Sequence, residues 1–232
     1  MSKVGMHEFW NSVWKKETLY YSKKETNNVP WDIKSPDTNL KKFLEKFNKP
    51  LNILEVGCGN GNDAYYMSEK GHNVTAIDIS DYAIDEAKSL YKNDNLKFIT
   101  SDFFKFKTTD KYDLIFDRGF IHNFSVDYFS IYFDKLYSLL KDKGDVLILS
   151  GNYNEVRKNK KDVTPNGIYL KDIEEYSMFY FYIKKIKEII LKQNSNYIEN
   201  PLGWLILLEK REQMLKNFDL QIEEEKDENI FF

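Results

Sequence analysis

The stretch Leu51 to Gly61, L-N-I-L-E-V-G-C-G-N-G, constrains the fold of this chain more than any other. A short apolar run breaks into an acidic residue and then into glycines at alternate positions, Gly57, Gly59 and Gly61. An apolar run without polar alternation reads as a strand buried on both faces, and the glycines let the backbone turn sharply against a ligand. The pattern is that of a nucleotide-cofactor loop. Its G-x-G-x-G spacing departs from the dinucleotide fingerprint, whose last glycine or alanine would fall on Asn62, and this tilts the expected cofactor away from NAD.

Beyond Gly61 the chain alternates between helix and strand. Asn62 or Asp63 is expected to cap a helix through about Lys70, with Ala64 and Met67 inward and Gly71 as a left-handed stop. Val74 to Asp78 reads as the next strand, and Asp78 lies about twenty residues beyond the first glycine, where a doubly wound fold places the acceptor for ribose hydroxyls. Ser80 and Asp81 open a helix whose Ala83, Ile84, Ala87, Leu90 and Tyr91 fall at helical spacing. Leu96 to Thr100 is a third strand ending at Ser101-Asp102-Phe103, where Asp102 can accept from an adenine amino group while Phe103 or Ile79 faces the ring. Tyr112 to Asp117 is a fourth strand that again closes with a carboxylate. Any one of these acids alone reads as a helix cap. At consecutive strand ends they converge on the crevice outside the carboxyl edge of a parallel sheet.

L-E-V-G-C-G-N-G, A-I-D-I-S, S-D-F-F and Y-D-L-I-F-D-R-G, in that order and spacing, resemble motif I and its successors in class I S-adenosylmethionine (SAM)-dependent methyltransferases over Leu51 to Ser150. Upstream, Phe9-Trp10, Trp14 and the P-W-D ending in Trp31-Asp32 resemble the amino-terminal tryptophan segment of the thiol, halide, thiopurine and tellurite-resistance methyltransferases. Lys34 stands where that group usually has a glycine. The resemblance implies a Rossmann-like α/β fold: a doubly wound, mostly parallel seven-stranded sheet with an antiparallel carboxyl-terminal hairpin. It implies SAM as cofactor, bound by Glu55, Gly57, Cys58, Gly59, Asn60, Gly61, Asp78, Ile79, Ser101, Asp102, Phe103, Asp117 and Gly119. Trp10, Trp14 and Trp31 would close over it, in a helical lid segment of residues 1–40 ahead of a methyltransferase domain of 41–216 and an acidic tail of 217–232. Phe9, Trp10, Val13 and Trp14 also form an apolar helix face that packs on a domain, and a lid face can serve both purposes.

Beyond the fourth strand, a helix from about Val126 to Leu140, capped by Ser125 and ended by Lys143-Gly144, precedes a strand at Asp145 to Ser150. A short helix near Lys171 to Ser177 leads to strands at Phe181 to Leu191 and Trp204 to Glu209. Two strands that close through a turn are antiparallel, and a terminal hairpin fits a methyltransferase better than a dinucleotide dehydrogenase. Methyl transfer is an in-line displacement that needs no metal, so approach geometry and desolvation carry much of it. His122 is the candidate general base, with Asp117 or Arg118 positioning substrate or cofactor; His7 and His72 read as surface residues.

Composition narrows the partners. A net charge of -3 with dispersed lysines leaves no basic stripe for nucleic acid, and strand four lacks the N-P-P-Y signature of many nucleic-acid methyltransferases. The single cysteine, Cys58, supplies no disulfide framework. No stretch has the roughly 18 to 20 apolar residues of a membrane span, and Met1 to Lys16 does not read as a secretory leader, so a cytoplasmic enzyme is expected. The expected reaction is methylation of a small soft nucleophile such as a thiol. A small amine or hydroxyl acceptor is the alternative, ahead of a dinucleotide-dependent oxidoreductase or a SAM-binding module without turnover.

Overall fold

A computed structural model describes residues 3–17, 29, 31–154, 167–193 and 200–212. Its sheet holds strands β1 (Asn52–Val56), β2 (Asn73–Asp78), β3 (Leu96–Thr100), β4 (Tyr112–Arg118), β5 (Leu140–Asn152), β6 (Gly167–Ile168), β7 (Phe181–Ile190) and β8 (Leu202–Lys210). The helices are α1 (Lys3–Trp14), α2 (Thr38–Leu44), α3 (Asn62–Glu69), α4 (Asp81–Leu90), α5 (Phe129–Leu139) and α6 (Leu170–Ser177). Strand order is β3-β2-β1-β4-β5-β8-β7, with the two-residue β6 pairing beside β5. The strands from β3 to β5 run parallel, and β8 is antiparallel to both β5 and β7. The expected hairpin is therefore present, and β6 is an additional short strand.

Residues of the central strands alternate between two cores, which explains the absence of polar alternation. Leu54, Val56, Ile115, Val146 and Ile148 pack on one face with Phe129, Phe133 and Leu136 of α5 and Ile173 of α6. Ile53, Leu114, Phe116, Leu147 and Leu149 pack on the other with Leu40, Phe43 and Leu44 of α2, Met67 of α3 and Ile84 of α4. Chain order reverses between β1 and β4, so the carboxyl ends of these strands flank the crevice where doubly wound folds bind ligands. α2 starts at Thr38 and packs in this core. The acidic tail lies outside the described residues.

Several local expectations differ from the structure. Neither Asn62 nor Asp63 caps α3: the N-cap is Gly61, without a side-chain bond. Asn62 instead accepts from Tyr91 Oη and donates to Asn60 and Asp32, while Asp63 Oδ1 accepts the Asp37 amide at 2.7 Å. Leu90 is exposed. A 3-10 turn at Val126–Tyr128 precedes α5, Ser125 makes no capping bond, and the chain becomes extended at Leu140 because Leu140 pairs with Tyr112. His72 is buried, not superficial. Its Nδ1 accepts the Leu51 amide at 3.1 Å, tying the α3–β2 turn to the start of β1, and burial lowers its pKa. His7 is about half exposed and pairs with Asp81 at 2.7 Å, pinning α1 to the first turn of α4.

Candidate active site

A cavity of about 280 Å³ opens at the carboxyl edge of the sheet. Of the residues expected there, Trp10, Trp14, Trp31, Gly57, Gly59, Asp78, Ile79, Ser101, Asp102, Phe103, Arg118, Gly119 and His122 line it. Each of the two strand-end acids that reach it is oriented by backbone. Asp78 accepts the Gly59 amide on Oδ2 and the Ser80 amide on Oδ1, both at 2.9 Å. Burial raises its pKa while these amides oppose the shift. The Ile79 amide is a third donor to the carboxylate, which with about four acceptor sites still has capacity left for a ligand. Asp102 takes the Phe104 amide on Oδ1 at 2.9 Å, and its Oδ2 stands 3.6 Å from Lys105 Nζ.

Beneath the glycine loop lies a smaller polar pocket of about 40 Å³, bordered by Glu55, Cys58, Asn60, Asn62, Asp63 and Asp32. It shares Trp14, Trp31, Gly57, Gly59 and Arg118 with the main cavity. Glu55 Oε2 and Asn60 Nδ2 are buried there without a hydrogen-bond partner among the described residues. Burial, reinforced by Asp63, raises the Glu55 pKa well above the usual range. Buried polar atoms without partners are unfavourable unless a ligand or water supplies them. Cys58 is buried, and desolvation pushes its pKa up, which disfavours the thiolate form.

Two expected site residues do not reach either pocket. Asp117 is fully buried and spends its carboxylate on the Phe120 amide at 2.7 Å, the Ile121 amide at 3.1 Å and Tyr132 Oη at 2.6 Å. Burial raises its pKa to about 6. Its carboxylate shapes the loop after β4. Gly61 packs closely, since a Cβ there would lie 2.5 Å from the Phe98 ring. His122 corrects a third expectation. Its Nδ1 accepts the Gly151 amide at 3.1 Å, so the basic lone pair of the neutral ring is already bound and cannot serve as a general base toward the cavity.

Arg118 is a clamp more than a ligand contact. Its guanidinium donates to the Trp31 carbonyl at 2.9 Å and the Lys192 carbonyl at 3.1 Å, and approaches Asp37 at 3.4 Å. It thus joins the amino-terminal segment and the β7–β8 connection to the end of β4. Trp31 packs edge-on against Trp10 and Trp14 at 5.8 and 6.2 Å. Lys34 explains its departure from the usual glycine: it adopts a left-handed φ of 54°, and Asp32 holds it there by accepting its amide and pairing with its ammonium.

Trp14 lies directly on Gly59, where an added Cβ would be 2.6 Å from its ring and the φ is 54°. Gly59→Ala is therefore expected to displace Trp14 and to lower stability by about 1 to 3 kcal/mol. Fluorescence of a variant keeping only Trp14 should shift to the red. An unshifted spectrum with unchanged stability would remove the contact between loop and helix.

The cavity also contains rings that strand-end reading does not reach: Phe104, Phe120, Phe124 and Tyr128, in mutual contact at 4.9 to 6.2 Å. They sit on the short turns after β3 and β4. The clustering of Phe103-Phe104, Phe120 and Phe124 just beyond two strand-end acids is the sequence signal for them. Leu191, Lys192, Gln193 and Pro201 close the cavity from the β7–β8 connection.

A profile of thiopurine S-methyltransferases matches residues 6–194, more than half of the chain. The chain belongs to the thiopurine S-methyltransferase family. Among similar curated proteins, probable thiol methyltransferase 2 of Arabidopsis thaliana is 29% identical over 130 residues, 54% of this chain and 58% of that protein. Thiopurine S-methyltransferase of Photobacterium profundum is 23% identical over 169 residues, 66% of this chain and 74% of that protein. The chain spans 58% and 60% of the length of the Arabidopsis thaliana thiol and thiocyanate methyltransferases that it matches. Magnesium protoporphyrin IX methyltransferase of Synechocystis PCC 6803, solved with bound S-adenosylhomocysteine, superposes with a TM-score of 0.67 at 16% identity, covering 90% of this chain and 100% of that one. A structure solved for the conversion of a disulfide bond into a thioacetal group during echinomycin biosynthesis gives 0.74 at 20% identity, over 95% and 99%. The fold of this family member is the Rossmann-like methyltransferase fold. No helix among the described residues is long and apolar enough to cross a membrane.

Proposed function

We propose that this protein is a SAM-dependent methyltransferase acting on a small nucleophile, with a thiol or another soft acceptor as the leading class. The observation that carries the reading is the junction of a largely apolar cavity with a polar pocket across the glycine loop. SAM has matching parts: a nucleoside, a sulfonium and a zwitterionic amino-acid end. Asp78 and Asp102 would hold the nucleoside beside Ile79 and Phe103. The unpaired Glu55 Oε2 and Asn60 Nδ2 suit an ammonium and a carboxylate. When bound, SAM supplies an electrophilic methyl group on a sulfonium. Trp10, Trp14 and Trp31 supply aromatic faces that favour a desolvated cation within about 6 Å, which makes residues 1–40 a lid in this reading.

The acceptor end is formed by Phe104, Phe120, Phe124, Tyr128 and Ile131, which suit an apolar or planar molecule and exclude water from the transfer. The thiol, thiocyanate and thiopurine methyltransferases among the relatives support a sulfur acceptor. A small-molecule O-methyltransferase is the second reading, favoured by the malonyl-[acyl-carrier protein] O-methyltransferase 2 of Ilyobacter polytropus at 31% identity over 157 residues. Nucleic acid is not the expected partner.

The test is a thermal-shift series with SAM, S-adenosylhomocysteine, NAD and NADP, followed by an acceptor screen with tritiated SAM. SAM and S-adenosylhomocysteine should raise the melting temperature, since a ligand at about 100 times its Kd adds roughly 2.7 kcal/mol. Stabilisation by NADP alone would replace the methyltransferase by an oxidoreductase. Tight SAM binding with no labelled product from any acceptor would leave a binding module.

A further inference from the structure

We propose that His122 is the specificity-determining residue of this site, presenting a fixed Nε2–H to the reacting atom and thereby recognising the acceptor as its anion. The proposal rests on the methyltransferase reading above and adds the ionic state of the substrate to it.

The geometry comes from both sides of the ring. On one side, the Gly151 amide of β5 donates to Nδ1 at 3.1 Å, and an amide N–H can only be accepted by an unprotonated nitrogen. The proton of the neutral ring is therefore on Nε2. On the other side, a Cβ on Gly119 would lie 3.2 Å from both Cε1 and Nε2. Glycine at this position, with φ 81°, keeps the space over Nε2 open, and both residues line the cavity. Nε2 thus lies beside Gly119 just beyond the carboxyl end of β4, and both residues border a ligand-sized space.

The ring also resists becoming a cation. Burial, followed by the nearby Arg118 charge, lowers its pKa to about 4, so the Nε2–H persists as a neutral dipole at physiological pH. A neutral N–H donor favours an anion over a neutral amine, because its hydrogen bond to the anion is charge-assisted and the one to the amine lone pair is not. No base is then needed. An acceptor that arrives as a thiolate attacks with a sulfur lone pair, a carbon–sulfur bond forms to the methyl group, and the sulfonium bond breaks with its electron pair returning to the departing sulfur. The products are two neutral thioethers, and no proton changes hands.

The experiment uses the full chain labelled with 15N-histidine, in complex with S-adenosylhomocysteine, with potassium thiocyanate as the anionic probe. The His122 signals are identified by their loss in His122→Gln. The expected spectrum shows a protonated Nε2 and an unprotonated Nδ1 near pH 7, and thiocyanate moves the Nε2 resonance saturably. A proton on Nδ1, an imidazolium, or no response to saturating thiocyanate overturns the proposal, even in a protein that binds SAM and turns over other acceptors. In kinetics with an aromatic thiol ionised at neutral pH, His122→Leu should raise KM by about 10- to 100-fold while leaving SAM affinity unchanged. His122→Gln, which keeps an N–H donor, should recover most of that loss. Equal losses in both variants, or an equal loss against a neutral amine acceptor, would assign His122 to packing alone.

Discussion

Asp78→Ala is expected to weaken SAM binding by about 30- to 1,000-fold, the equivalent of roughly 2 to 4 kcal/mol, while the sheet stays folded. Two losses combine. The first is the acceptor for the ribose hydroxyls, which are bound by charge-assisted hydrogen bonds. The second is the carboxylate that takes the Gly59 and Ser80 amides and so fixes the glycine loop relative to the start of α4. Asp78→Asn separates them, because its amide oxygen can satisfy one backbone N–H but its NH₂ group faces the other donor. Calorimetry with SAM and with adenosine then apportions the effect. Equal losses for both ligands would locate it at the ribose; a larger loss for SAM would locate it in the loop. Unchanged affinity of a folded Asp78→Ala protein would remove Asp78 from the site.

The parts legible in the sequence were those that depend on backbone. The glycine spacing, the apolar runs and the acids at strand ends are local consequences of a parallel sheet. Asp78, Asp102, Ser101 and Ile79 fall where that logic puts them. Side-chain destinations are a different matter. Asp117 lies near the end of its strand as Asp78 ends its own, yet it does not line the cavity because Tyr132, on a later helix, and two loop amides take its oxygens. The two amides are three and four residues on, but the Tyr132 hydroxyl is fifteen residues away and no local pattern around Asp117 encodes it. His122 was recognisable as a site residue by position, but its role depends on the Gly151 amide of a neighbouring strand. Glu55 illustrates the converse: its place near the end of β1 marked it, and only the structure shows an oxygen without a partner among the described residues, in a second pocket.

Arg118→Met should destabilise the fold by about 3 to 5 kcal/mol and also impair closure of the site, because the arginine balances buried acids and holds two covering segments. Its side chain is 13% exposed, against 1% for Asp37, and its charge lowers the pKa of Glu55 and Asp63 against the upward pull of burial. The pH dependence fixes the sign. Burial raises the Asp63 pKa to about 6 even with Arg118 present. The folded state then holds a proton that the unfolded chain has lost above about 3.9, so this group's contribution falls as pH rises through that interval and is least favourable above 6. Without Arg118 the folded pKa rises further and the unfavourable interval extends upward. Urea midpoints of both proteins at pH 5 and pH 8 should therefore differ more at pH 8. A difference that is the same at both pH values would show that Arg118 acts through its bonds to the Trp31 and Lys192 carbonyls and not through the buried acids. In that event the SAM affinity of the variant should still fall, since those carbonyls belong to the segments that cover the cavity.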